Sequence, residues 1–111
     1  MDQDIKEKWI AALRSGKFKQ CDGELHNLEG SFCCLGVLLE SQGWEEQAYH
    51  GGKYSYYISQ DGDVNDEENE LSDDTRAEFG LTKFQETHLI KMNDTEKKSF
   101  KFISNWIEDH L

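Results

Sequence analysis

Residues 32–39 read Phe-Cys-Cys-Leu-Gly-Val-Leu-Leu, an almost unbroken apolar run in a chain that is otherwise strongly polar. A helix formed here is hydrophobic on every side, so it has to be buried and the remaining segments have to pack around it. Gly36 removes a side chain from the middle of the run, which weakens the helix locally and lets a neighbouring backbone or ring come close. The run therefore predicts a central buried helix with a close-packing glycine.

A chain of 111 residues is expected to form one domain, and at that size roughly two thirds of the unfolded surface is removed from water. Hydrophobic residues make up 36 %, below the usual share, so the 13 aromatics are expected to supply much of the packing. Cys21, Cys33 and Cys34 are an odd number with two adjacent, poor material for a disulfide framework, which points to a reducing compartment. The acidic N-terminus lacks the apolar core of a secretion signal, and no apolar run approaches the length of a membrane span. A soluble, cytoplasmic protein is expected.

Periodicity and capping signals give the order of elements. Asp4 with Glu7 marks a helix start, and Ile5, Trp9, Ala12 and Leu13 share one face until Ser15-Gly16. Asp22-Gly23 between 17–21 and 24–28 reads as the turn of a hairpin. Ser31 is the expected N-cap of the central helix, which should stop at Gly43. Residues 44–52 suggest an irregular connection, and 53–60 alternate as a strand. Ser72 and Gly80 bound a short helix, Thr82 to Gln85 has capping-box spacing for a helix to Asn93, and Ser99 opens a last amphipathic helix. The expected fold is α+β: a central buried helix against a small antiparallel sheet, made of the hairpin plus one strand, with flanking helices from both chain ends.

Charge is distributed unevenly. Acidic residues number 23 against 12 basic, a formal net charge of -11. Between 61 and 78, Asp61, Asp63, Asp66, Glu67, Glu68, Glu70, Asp73, Asp74 and Glu78 are opposed only by Arg76, so this stretch carries most of the excess. Residues 61–71 read as a solvated acidic loop with Val64 nearly alone among polar neighbours. Such a surface repels a phosphate backbone and excludes direct nucleic-acid reading; a basic protein partner, a cation or plain solubility fits. Tyr54 and Tyr57 add candidate contact area, because tyrosine supplies it at low entropic cost; Tyr54 and Tyr56 equally suit a second core layer.

Other chemistry is weakly signalled. Asp61, Asp63 and Asn65 fall at the first, third and fifth ligand positions of an EF-hand loop, but Asp66 stands where the glycine belongs and Ser72 where the bidentate glutamate belongs. Cys21, His26, Cys33 and Cys34 are zinc-ligand types without a Cys-x-x-Cys pair. A cysteine nucleophile with His26 or His50 lacks a diagnostic spacing, and His50-Gly51-Gly52 is too short for a phosphate loop. No cofactor or metal and no catalytic residue is therefore expected. The alternative left open is a small-molecule or nucleotide binder, or a small enzyme, using the Cys, His and Tyr side chains.

The stretches Trp9-Ile10-Ala11-Ala12-Leu13-Arg14-Ser15-Gly16-Lys17-Phe18-Lys19-Gln20, Phe32-Cys33-Cys34-Leu35-Gly36-Val37-Leu38, and Leu89-Ile90-Lys91-Met92-Asn93-Asp94 with Ser99-Phe100 and Ile107-Glu108 resemble small uncharacterised proteins encoded by bacteriophages and prophages. The resemblance implies a phage setting and no particular activity. By analogy with small acidic phage proteins, it suggests a non-catalytic accessory protein that binds a host macromolecule through its acidic surface, inhibiting a host defence component or blocking a nucleic-acid site. The partner-binding candidates are Asp61, Asp63, Asp66, Glu67, Glu68, Glu70, Asp73, Asp74, Tyr54 and Tyr57.

Overall fold

The computed structural model describes residues 1–49 and 54–111, apart from the side chains of Tyr49 and Tyr54. The fold is α+β, and its centre is α2 (Cys34–Ser41), whose residues Cys34 to Leu39 are all buried. The all-round hydrophobicity of the run thus has its expected consequence. Gly36 meets the backbone of Leu25 so closely that a β-carbon there would collide with the Leu25 carbonyl oxygen.

Helix α1 (Gln3–Arg14) lays Trp9, Ile10 and Leu13 into the core, and Asp2 rather than Asp4 caps it by accepting from the Ile5 amide at 3.1 Å. The Trp9 indole N–H donates to the Cys34 carbonyl at 2.9 Å in the interior, so the ring is both packed and satisfied. The last helix, α5 (Phe100–His110), packs alongside α1. There Arg14 reaches Ser104, Asn105 and Glu108 at 3.0, 2.7 and 2.9 Å.

The segment between α1 and α2 differs from the expected hairpin. Strands β1 (Lys19–Gln20) and β2 (Ser31–Phe32) pair in parallel, and 24–28 does not pair with 17–21. Asp22-Gly23 bends the chain, with Gly23 at φ +81°. The reason lies in Leu25: it is buried over Gly36, which pulls 24–28 across the start of α2 and away from β1. Ser31 is likewise not the helix cap. It lies in β2, the N-cap is Cys33 without any side-chain cap bond, and the Cys34 amide finds Asn93 Oδ1 at 3.2 Å instead. Asn93, from the far end of the chain, satisfies an orphan donor of the helix start; its own N–H group donates to the Cys21 carbonyl at 2.9 Å.

The antiparallel sheet is β3 (Glu45–Tyr49), β4 (Tyr54–Ile58) and β5 (Val64–Asn65), in that order. Only β4 was expected as a strand. Residues 45–49, predicted irregular, pair fully with it from Glu45 opposite Ile58 to Tyr49 opposite Tyr54. Side-chain alternation puts Glu46, Ala48, Ser55 and Tyr57 on one face of this sheet.

The C-terminal helices start where their capping residues predict. α3 (Asp73–Phe79) is capped by Ser72 and stopped by Gly80 at φ +75°. α4 (Lys83–Ile90) opens with a complete capping box between Thr82 and Gln85, and Ser99 caps α5. Beyond Ile90 the expected continuation widens into a π-helical turn, Lys91–Thr95, which turns both Met92 and Asn93 inward.

Candidate functional site

The acidic stretch is a surface held on a fixed frame rather than a loosely solvated loop. Asn65 is fully buried; its amide N–H group donates to the Glu67 and Glu70 carbonyls, both at 3.2 Å, and its oxygen accepts from the Ser72 amide at 2.6 Å. The buried carboxylate of Glu86 accepts the Leu71 amide at 2.8 Å and faces Arg76 and Lys83 at 3.4 and 3.2 Å. On this frame Asp61, Asp63, Asp66, Glu67, Glu68, Asp73 and Asp74 are exposed. Glu70 is half-buried against Lys83 at 3.0 Å, and Asp73 pairs with Arg76 at 2.8 Å. Asn65, the third oxygen ligand in the EF-hand reading, is thus turned inward and spent on the backbone. Among the described residues no three His, Cys, Asp or Glu side chains gather as a metal-holding group.

The tyrosines divide differently from expectation. Tyr57, placed among the surface candidates, is only 2 % exposed and belongs to the core, because its face of the sheet is the covered one. Its buried hydroxyl faces the Glu40 carboxylate, and burial, reinforced by Glu40 and Glu46, raises its pKa and keeps the phenol protonated. The Tyr54 side chain and His50 lie outside the described residues.

Beside the acidic loop, the covered face of the sheet opens into a cleft of about 450 Å³. Glu24, His26, Asn27 and Leu28 form one wall, Glu46, Ala48 and Ser55 of the sheet another, and Glu68 and Asn69 of the acidic loop a third. The walls are tied together by the Leu25 amide, which donates to the Glu68 carbonyl at 2.8 Å. The His26 ring stacks on Phe32 at 4.1 Å, and its Nδ1 lies 2.8 Å from Glu46 Oε2, though off the line of a good hydrogen bond. Among the described residues three carboxylates border the cleft and no lysine or arginine does. Sequence reading missed it: Glu24, Glu46 and Glu68 sit in three separate segments and carry no shared motif. His26, by its residue type a candidate zinc ligand or base, has the Glu46 carboxylate as its neighbour here.

The cysteines make poor nucleophiles. Burial raises the Cys33 thiol to about 12 and pushes that of Cys34 well above its ordinary value. Cys21, partly exposed, is also raised, by burial and then by Glu24 and Asp94. A thiol held protonated does not attack carbonyls or bind zinc readily.

Among the described residues no helix is long and apolar enough to cross a membrane. Neither a curated protein nor a solved structure matches the chain. A family model does match, from residue 1 to residue 111, and the chain belongs to that family, a domain of unknown function (DUF8296).

Proposed function

We propose that this protein is a non-catalytic accessory protein, phage- or prophage-encoded and acting in the bacterial cytoplasm, that docks onto a basic surface of a host protein. The observation that carries this reading is the acidic stretch itself: its carboxylates face solvent while Asn65 and Glu86 hold the backbone beneath them in place. Charges presented on a fixed frame lose little conformational freedom on binding, and opposite charge on a partner speeds encounter. The resemblance to phage proteins makes a host protein the natural partner. A basic surface that ordinarily holds nucleic acid has the complementary charge, so occupying it displaces that nucleic acid. A nucleotide ligand fits poorly, since the cleft bordered by Glu24, Glu46 and Glu68 repels phosphate.

The test is a pull-down from host lysate with the native chain and with an Asp66→Asn, Glu67→Gln, Asp73→Asn, Asp74→Asn variant of unchanged circular dichroism. A partner retained by the native chain, released by moderate salt and lost by the variant is the expected result. Equal retention by both, or retention indifferent to salt, refutes the reading.

A further inference from the structure

We propose that Cys21 and Cys33 form an oxidative modification site, which closes to a disulfide when a hydroperoxide reaches Cys21 and so pins the start of the central helix.

The parallel pairing sets the two residues against each other. Lys19 lies opposite Ser31 and Gln20 opposite Phe32, so the next position on each segment is Cys21 and Cys33. The pairing reaches that position: the Cys21 amide donates to the Phe32 carbonyl at 2.8 Å, and Cys33 keeps an extended backbone at φ -85° and ψ 174°. Register partners on neighbouring parallel strands stand about 4.8 Å apart and project to the same face. That spacing falls within the roughly 4.4–6.8 Å between α-carbons that a disulfide spans. Charge effects agree. Beyond burial, the Asp94 carboxylate acts on both thiols and Cys21 acts on Cys33, so the two sulfurs share one neighbourhood.

The third cysteine is excluded by direction. Cys34 is fully buried, and its sulfur donates to the Leu89 carbonyl at 3.8 Å, on the side of α4. Its α-carbon stands only about 3.8 Å from that of Cys33 across the peptide bond, too close for an unstrained bridge between the two.

Access is divided between the pair. Cys21 is partly exposed and lines an open cleft of about 420 Å³ with Asp22, Asn93 and Lys97, wide enough for a hydroperoxide. Its sulfur contacts the Glu24 carbonyl at 3.6 Å, a weak bond that a turn of the side chain releases at little cost. Cys33 is buried, so the group that reaches it is Cys21.

The chemistry balances in two steps. The Cys21 sulfur attacks one oxygen of hydrogen peroxide: a sulfur–oxygen bond forms, the oxygen–oxygen bond breaks, and hydroxide leaves with the thiol proton as water. The Cys33 sulfur then attacks the Cys21 sulfenic acid, whose hydroxyl leaves with the Cys33 proton as a second water. Two thiols are oxidised and one peroxide is reduced. Both thiols are held protonated, so both steps are slow, and the second relies on its partner being held in place. A brief thiol titration therefore counts Cys21 alone, and closure develops over hours. The bond ties the end of β1 to the N-cap of α2 around Leu25, whose carbonyl accepts the Cys33 amide at 3.2 Å and whose backbone rests on Gly36.

The experiment treats the reduced full chain with a slight excess of hydrogen peroxide and follows intact mass, linked peptides and thermal unfolding. A monomer that has lost two hydrogens is expected, with tandem mass spectra placing the bond between Cys21 and Cys33. The unfolding midpoint should rise by several degrees and return when dithiothreitol is added. Cys21→Ser, at a partly exposed position, should keep the fold and show neither the mass loss nor the rise. Cys21 carried on to sulfinic acid beside an intact Cys33 thiol overturns the inference. So does a bond to Cys34, a dimer linked through two Cys21 sulfurs, a chain that keeps all its thiols after a day, or a closed bond that leaves the midpoint unmoved.

Discussion

The side-chain oxygen of Asn65 accepts the backbone N–H of Ser72 at 2.6 Å, joining the short strand β5 to the N-cap of α3 across the acidic loop. The same amide group donates to the carbonyls of Glu67 and Glu70. One neutral buried side chain thereby sets the path of a stretch in which nearly every neighbour is charged.

Replacing Asn65 by leucine leaves buried backbone groups without partners, each a loss of roughly 1–3 kcal/mol. We expect Asn65→Leu to lower the unfolding free energy by about 3 kcal/mol. Hydrogen exchange should rise first at Glu67 to Ser72, before the protection of α2 changes. Urea denaturation and exchange on the same variant check both parts.

Gly36 predicts a second effect. A methyl group at that position meets the Leu25 backbone, not a flexible side-chain tip, so the chain cannot yield by rotating a rotamer. Gly36→Ala should destabilise by about 1–3 kcal/mol through overpacking, although alanine is the better helix former. Leu38→Ala, on the same buried helix, should cost about 2–5 kcal/mol through the cavity it leaves. A Gly36→Ala chain as stable as the native one in chemical denaturation would contradict the close approach.

Thiol accessibility predicts a third result. All three cysteines are free, two of them buried. At pH 8 a disulfide reagent such as Ellman's should titrate Cys21 alone, more slowly than an unhindered cysteine because its thiol is held protonated. Cys33 and Cys34 should react only in denaturant. Mass mapping of an alkylated native sample identifies which sulfur has reacted.

Stability should also depend on pH through two carboxyls whose pKa is raised in the fold. Partial burial, with Asp63 and Asp61 nearby, raises the Glu78 carboxyl above its ordinary value of 4.5, and burial does the same to Glu40. The folded chain holds these protons more tightly than the unfolded chain. Their contribution is therefore complete below 4.5 and is lost as pH rises through the folded values. Denaturation midpoints taken from pH 4.5 upward should fall less steeply for Glu78→Gln than for the native chain. A parallel decline in the two would remove Glu78 as a cause.

The parts of the molecule legible in the sequence are those whose signal lies in neighbouring residues. The buried helix followed from an apolar run, and the starts of α3, α4 and α5 from Ser72, Thr82 and Ser99, each of which bonds an amide three residues away. Alternation along 53–60 gave a strand with two faces, yet could not say which face turned inward; the packing beneath the sheet made it the face of Tyr57.

What only the tertiary structure decided depends on residues far apart in the chain. Leu25 seated on Gly36 replaced a hairpin with a parallel pairing, and Asn93 supplied the amide partner that Ser31 was expected to supply. Glu24, Glu46 and Glu68 became one cleft because the Leu25 amide binds the Glu68 carbonyl beside the sheet. Local chemistry sets helices and caps within a few bonds; a buried polar group takes whichever partner the completed fold brings to it, and that partner has no fixed separation along the chain.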